Sequence, residues 1–441
     1  MLGVGTDGPV GTGDAPTRSA SSAAQAAVQS GRVGWPLRAA RAMDQEERDA
    51  WAVLATVDGL GPAAFAVLLA GHGTAAGVLE IARSPRGQRR LADTPPIDAI
   101  RDPGSVFLPI SELVAEQIVE AARAAATIAA RVAELGLGVI TLDDAAYPGR
   151  LRGIHLPPAV LFVLGDPGAL SRDRATAVVG TRHPSSQGRM TATRISRALV
   201  ASGATVVSGL ALGIDGAAHE ATVRAGGVTV AVIGSGLGVI SPPSHRRLVE
   251  AIVTSGGAVV SELGPDVHPG RGTFPRRNRL ISGLSDATIV VEAPASSGAL
   301  LTAGWALDQG RACFVVPGPI DAPTSAGCLS FLRQFHGEAR IVTGVPQLIA
   351  DLGYAGAPDA AHEPPIAATL QLLGSTEARV ADAVLAGRAT VDELMAVTGL
   401  SVATILATLT LLERQGLIVG TYGRYRPAGT LLEPLVVPKR R

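Results

Sequence analysis

From Ala175 to about Val342 short β-branched runs recur, ATAVVG, ATVVSG, VTVAVIG, AVVSE, ATIVVEA and CFVVPG, each followed by a glycine-bearing turn and an amphipathic segment. Strand-like runs alternating with helical segments predict a doubly wound, mainly parallel α/β sheet. Ligands of such sheets lie beyond the carboxyl ends of the strands, so the turns there are the first place to look for function. Two further apolar runs, VITLDDAAYP and LPPAVLFVLGD, precede the sheet. The second lies between prolines and a Gly-Asp-Pro turn, which suits a strand that pairs with a sheet edge or caps it.

The pattern changes on both sides. Residues 1–42 are rich in Gly, Ala, Ser and Thr with hardly any large apolar side chains, which predicts a disordered tail. From 43 to 135 apolar residues fall at three- and four-residue spacing, in DAWAVLATV, AAFAVLLAGHG and ELVAEQIVEAARAAATIAARVAEL, so a helical domain is expected. Asp58-Gly59-Leu60-Gly61-Pro62 is read either as the hairpin of a helix-hairpin-helix unit, whose amides can hold a DNA phosphate, or as an ordinary helix connection. The sheet domain then covers 136–352, followed by an Ala- and Pro-rich linker over 353–374. In 375–430 the elements of a winged helix follow one another. They are a capping box at Thr390-Val391-Asp392-Glu393, a turn at Thr398-Gly399-Leu400, a longer helix from Ser401 to Gly416, and a hairpin around Gly423 carrying Arg424 and Arg426. The second of these helices, SVATILATLTLLERQ, is mostly apolar or small and has one arginine, Arg414. That composition suits protein contact or weak DNA contact at least as well as sequence-specific reading. Residues 431–441 form a basic tail.

At 441 residues the chain is long enough for two or three domains with a core that needs no staples. Its formal net charge is zero, which excludes a wholesale polyanion-binding composition and permits a local basic patch. The two cysteines, Cys313 and Cys328, join no CxxC or Cys/His cluster, so neither a disulfide scaffold nor structural zinc is expected. No apolar run reaches transmembrane length and MLGVGTDGPVGTGD lacks the regions of a secretory signal, so a soluble, cytoplasmic protein without membrane insertion is expected. Of the 38 basic residues only Lys439 is lysine, so every cation of the sheet domain is arginine. A genome-wide bias toward arginine codons is the blander reading of the count. The domain is equipped for phosphate all the same, because arginine grips it bidentately and stacks on bases.

Three turns carry candidate chemistry. Val179-Gly180-Thr181-Arg182-His183 follows a strand and precedes a helix, so the Gly180 backbone, free helix amides and Arg182 can receive an anion. This turn matches neither GxGxxG nor a Walker loop, and Gly234-Ser235-Gly236-Leu237-Gly238 leads into Val-Ile-Ser-Pro-Pro instead of a helix, so no nucleotide cofactor is expected. In SGLALGIDGAAHEA, Ser208 and Gly209 end a strand, Gly213 permits a tight bend, and Asp215 and His219 share a helix face. Without a third group, that pair reads as a helix cap and brace, not as an acid–base or metal site. In HPGRGTFPRRNRLISG, Arg271, Arg276, Arg277 and Arg279 occur with Phe274 and Asn278 and no acidic residue between Val267 and Gly283. Positive charge at a helix amino terminus is disfavoured by the helix dipole, so a negative ligand is expected there. Arginines and an aromatic ring together can clamp phosphates and stack on a base.

Taken in order, Tyr147-Pro148, PPAVLFVLG (157–165), VVGTR (178–182), SGLALGID, AVIGSGLGVISPP (231–243), SELGP (261–265), FPRRNRLISGLSD, VVEAPASSGALLTA (290–303), and GR and VPG (310–318) resemble the DNA-processing protein A family, DprA, also called Smf. The resemblance runs over 139–345. It implies a Rossmann-like domain that binds single-stranded DNA and helps load the RecA recombinase in natural transformation or related recombination. No enzymatic step is implied, flanking helical and winged-helix domains are common in that family, and a homodimer is expected. Carried over by position, the DNA pocket would use Gly180, Arg182, Ser208, Gly209, Gly213, Phe274, Arg276, Arg277 and Asn278. The chain departs from the family in having Ile240-Ser241 where an aromatic often precedes the proline, and Cys328-Leu329-Ser330 where an asparagine often follows Gly327. Two rivals are a nucleotide phosphoribohydrolase of the lysine-decarboxylase-like group, whose PGGxGTxxE pattern is replaced here by EAPASSGALLTAGWAL, and a winged-helix transcription regulator, which leaves the sheet domain unexplained.

Overall fold

The computed structural model describes residues 43–95, 110–270, 272–354, 370, 373–421, 423–428 and 431. The predicted amino-terminal tail, most of the predicted linker, Arg271 and all of the basic tail except Leu431 lie outside the described residues. The chain divides into two compact units, Met1–Ala355 and Gly356–Arg441.

The first unit is built on a sheet whose strands, in chain order, are β1 (Gly138–Thr141), β2 (Val160–Gly165), β3 (Ala175–Val179), β4 (Thr205–Ser208), β5 (Thr229–Val232), β6 (Ala258–Ser261), β7 (Ala287–Val290), β8 (Ala312–Val315) and β9 (Ala339–Ile341). They lie in the order β1-β2-β6-β5-β4-β3-β7-β8-β9. Pairing is parallel from β6 across to β9, while β2 runs antiparallel to β6 and β1 antiparallel to β2. The six β-branched runs are thus β3 to β8, and the sheet is Rossmann-like and mainly parallel. The LFVLG run pairs with the β6 edge, Phe162 facing Ser261.

These strands read as continuous apolar runs because both faces of the sheet are covered. On β3, Val178 belongs to the core on one face with Ile195, Leu199 and Ile214, whereas Ala177 and Val179 belong to the core on the other. That second core takes in Val249, Ile252, Leu280 and Ala303 and runs on without a break into Trp51, Phe65 and Leu68 of the amino-terminal helices. Helical region and sheet therefore bury one another's apolar faces. The Trp51 and Phe65 rings lie 4.7 Å apart, and the Glu47 carboxylate accepts the Trp51 indole N–H and the amides of Ala75 and Ala76, capping the helix Ala75–Arg83. In the Asp58–Pro62 connection Gly59 has φ 77°, and Gly61 precedes the helix Pro62–His72 with Pro62 in its first turn. The segment after it that reads as one long helix is two, Glu112–Arg123 and Ala125–Glu134, meeting at Ala124. The second of these braces the sheet: Arg131 donates from Nε and Nη2 to Asp266 at 2.9–3.1 Å, in the loop after β6.

The second unit is a winged helix. Helices Ser375–Leu385, Val391–Thr398 and Val402–Arg414 precede the hairpin of β10 (Ile418–Thr421) and β11 (Arg424–Pro427). The predicted capping box is formed by Thr390 and Glu393, Gly399 adopts φ 67°, and Ser401 caps the longer helix. Val384, Leu394, Ile405, Leu409 and Leu412 make its core, while Val402 and Leu406 are left exposed on the outer face of the longer helix. Among the described residues no helix is long and apolar enough to cross a membrane, and no group of His, Cys, Asp and Glu side chains could hold a metal ion.

Candidate nucleic-acid interface

The strand order reverses at β3: β4, β5 and β6 follow it on one side, β7, β8 and β9 on the other. The crevice beyond the carboxyl ends at such a reversal is where this architecture receives ligands. Gly180 leaves β3 there, and the next amide, Thr181 N–H, donates to the Glu292 carbonyl at 2.7 Å in the loop after β7. The helix Ser186–Ala201 begins just beyond. Its amino-terminal positive pole is already occupied: the buried Glu292 carboxylate accepts the Ser185 N–H at 3.0 Å and the Ser185 hydroxyl at 3.1 Å.

The second turn is fastened to the first. Ser208 Oγ donates to the Val178 carbonyl at 2.6 Å, so β4 and β3 end in register. Gly213 has φ 86°, and a Cβ there would collide with the Thr181 and Arg182 backbone, so only glycine allows this approach. Gly209 is equally constrained from the other side, where a Cβ would lie 2.6 Å from Arg277 Nη1 and 2.7 Å from Asp215 Oδ2. Asp215 accepts the Gly209 N–H at 3.1 Å. Burial pushes the Asp215 carboxyl up, against the pull of Arg277 and of the amides of Ala211, Gly209 and Gly180. His219, fully buried one turn on, donates from Nδ1 to Thr229 Oγ1 at 2.7 Å, since the Thr229 hydroxyl proton is committed to the Val206 carbonyl. Burial, with His245 and Arg277 adding, lowers its pKa to about 3. Asp215 and His219 are thus interior braces beneath the turn.

The third element is the helix Thr273–Gly283. Arg276 in its first turn is exposed and makes no ion pair with any described residue. Phe274 is half-buried, and the exposed Arg182 guanidinium lies over its ring, 5.2 Å from the centroid. From Arg277 onward the helix is enclosed. Arg277, 6 % exposed, points inward and donates from Nη1 to the carbonyls of Gly209 and Val232. Burial lowers its pKa to about 10, with Asp215 opposing the shift and Arg182 adding to it. Asn278 Nδ2 donates to the Gly298 carbonyl at 3.1 Å, and Arg279 is paired with Glu262.

The nine positions read from the sequence therefore fall in two layers. Arg182 and Phe274 come together, and Arg276 is exposed in the same helical turn as Phe274. Gly180, Ser208, Gly209, Gly213, Arg277 and Asn278 form the foundation that holds the turns, and Arg277 in particular supports backbone instead of presenting its charge. Sequence reasoning passed over Glu292 and over Arg246 and Arg247, two exposed arginines that open the helix Arg246–Thr254. The signal for the arginines was available, since two cations at a helix start are as disfavoured there as at Arg276. His245, just before them, ties that helix start to the second turn through Nδ1 and the Leu210 carbonyl, 2.9 Å apart.

A Rossmann-like sheet with a basic and aromatic crevice at its reversal, in one chain with a winged helix, defines a class of protein. The model of the DNA recombination-mediator protein A family matches residues 138–353, and that of the DprA winged helix domain matches 361–423. A putative DNA processing protein DprA of Mycobacterium tuberculosis is 38% identical over 302 residues, 65% of this chain and 76% of that protein. Protein Smf of Synechocystis is 43% identical over 217 residues, 48% of this chain and 54% of that protein, so the match spans about half of that relative. The X-ray structure of DprA from Streptococcus pneumoniae superposes with a TM-score of 0.55 at 29% identity, covering 70% of this chain and 99% of that one. The chain belongs to the DprA/Smf family.

Proposed function

We propose that the carboxyl face of the sheet binds single-stranded DNA, Arg182 and Arg276 taking backbone phosphates and Phe274 stacking on a base. On this reading the chain is a recombination mediator, a binding protein and not an enzyme. It protects incoming or exposed single strands and promotes RecA loading during DNA uptake, transformation or related recombination. It works as a cytoplasmic homodimer, with 43–135 as a helical domain, 136–352 as the DNA-binding domain and 375–430 as an accessory winged helix. The observation that carries the reading is the Arg182–Phe274 stack, which joins the turn after β3 to the helix after β6 and leaves a cation and an aromatic face together in the crevice. Single-strand sites are built from these two components. Membership in a family described as a recombination mediator supports the same reading.

Anisotropy titrations of a labelled oligothymidylate across a salt series test it. The logarithm of affinity should fall linearly with the logarithm of salt, by about 0.7 per phosphate contacted. A salt-independent affinity would overturn the phosphate clamp. Hydrolysis of nucleoside monophosphates without single-strand binding would favour the phosphoribohydrolase instead.

A further inference from the structure

The helix Ser186–Ala201, which starts at the crevice, carries Arg189, Arg194 and Arg197 and not one acidic residue. Its inner face, Ala192, Ile195 and Leu199, is spent on the sheet, and all three arginines are exposed on the rest of its circumference. None makes an ion pair with any described residue. The helix Ile214–Arg224 packed beside it offers no relief, because Glu220 is committed to Arg224 and Asp215 is buried beneath the second turn. In a chain of zero net charge, three exposed cations on one helix, none in an ion pair with a described residue, are a local excess. Arg189 lies in the first helical turn, at the pole that the buried Glu292 carboxylate already meets, and its own side chain is exposed. Arg276 lies in the first turn of the helix Thr273–Gly283, where no acidic residue of that turn answers the dipole.

We infer that this helix is a track for nucleic-acid backbone continuing out of the crevice, so that a single strand held at Arg182 and Phe274 runs on along Arg189, Arg194 and Arg197. The first and last of these are eight positions apart, about 12 Å along the axis, and all three lie within about 140° of its circumference. A ladder of guanidinium groups at that spacing suits consecutive phosphates, with no aromatic to read bases, so the track is sequence-independent. The inference rests on the crevice being a single-strand site.

The test compares wild type with the Arg189→Gln/Arg194→Gln/Arg197→Gln triple variant on two oligothymidylates, one of about six nucleotides that fills only the crevice and one of about thirty that reaches beyond it. The exposed positions leave the fold intact, which thermal melting checks. Affinity for the short strand should stay within about twofold, while the long strand should lose about tenfold at low salt and its salt slope should drop by about two, three contacts at 0.7 each. An unchanged long-strand affinity, or an equal loss on both strands, overturns the track. Phe274→Ala is run beside it and should weaken both strands. If it weakens neither, the crevice reading itself has failed, and that outcome is distinct from failure of the track.

Discussion

The Arg277 guanidinium donates to the Gly209 carbonyl at 2.5 Å and to the Val232 carbonyl, joining the ends of β4 and β5 from beneath the crevice. A buried arginine so placed sets backbone geometry. Its removal leaves two carbonyls and the nearby Asp215 carboxylate without their counterpart. Arg277→Ala should therefore destabilise the first unit by about 3–5 kcal/mol, as removal of one member of a buried charged network does. Arg277→Lys should recover only part of this, since one ammonium lacks the planar fork. Urea denaturation of the two variants measures it, and wild-type stability in Arg277→Ala would show that the strut has no structural role.

His219 predicts how stability depends on pH. The folded pKa, about 3, lies below the unfolded value of 6.5, and Nε2 has no hydrogen-bond partner among the described residues. Below pH 6.5 the unfolded chain takes up a proton that the folded chain refuses, so this contribution is complete above pH 6.5 and is lost as pH falls toward 3. The slope approaches about 1.4 kcal/mol per pH unit. Denaturation midpoints between pH 6.5 and 5 carry this slope together with that of His72, which burial also lowers, so the contribution of His219 is the difference from His219→Gln, whose slope should be flatter. Equal slopes in the two proteins would mean that His219 titrates freely.

Much of the fold was legible because its strands are short, apolar and punctuated by glycine. β3 to β8 announce themselves in that way, and Thr390 with Glu393 announces the first helix boundary of the winged helix. Periodicity carries no information about partners, so the pattern permits the antiparallel attachment of β1 and β2 to the β6 edge without dictating it. β9 has only three residues, two of them exposed, and gives no pattern. The direction of the arginines was hidden for a different reason. A helix that sorts polar from apolar residues betrays its outer face, but Arg277, Asn278, Arg279, Leu280 and Ile281 are all buried, so position along the string cannot separate Arg276 from Arg277. Their difference is made by Gly209, Val232 and Glu262, which come from elsewhere in the chain.

Glu292 holds the helix Ser186–Ala201 by its amino terminus through Ser185. Hydrogen bonds to a charged acceptor contribute about 1.5–3 kcal/mol, and the carboxylate also meets the positive end of the helix dipole. Glu292→Ala should cost about 2–3 kcal/mol in chemical denaturation and, by loosening the turn that bears Arg182, weaken single-strand binding as well. Glu292→Gln keeps the size and loses the charge, so it should lie between the two. A Glu292→Ala protein as stable as wild type would leave Ser185 alone as the cap.

If the crevice holds a single strand as proposed, Arg182 and Phe274 divide the binding energy in a way that two variants can read. Arg182 is exposed, lies over the ring and faces no carboxylate within ion-pair distance among the described residues, so its charge is available to a phosphate. Arg182→Gln should weaken binding to all single strands alike and lower the salt slope by about 0.7, one contact. Phe274→Leu keeps an apolar side chain over the foundation but removes the aromatic face. It should cost about 1–3 kcal/mol of affinity with the salt slope unchanged, because stacking releases no counterions. The cation–π contact contributes about 0.5–1 kcal/mol at such an exposed site, so the two losses should not be additive. Melting temperatures measured beside the titrations separate a packing role from a binding one. If Phe274→Leu loses stability and affinity in proportion, the ring serves only to hold Arg182 in place; if it loses affinity at wild-type stability, the ring contacts the base.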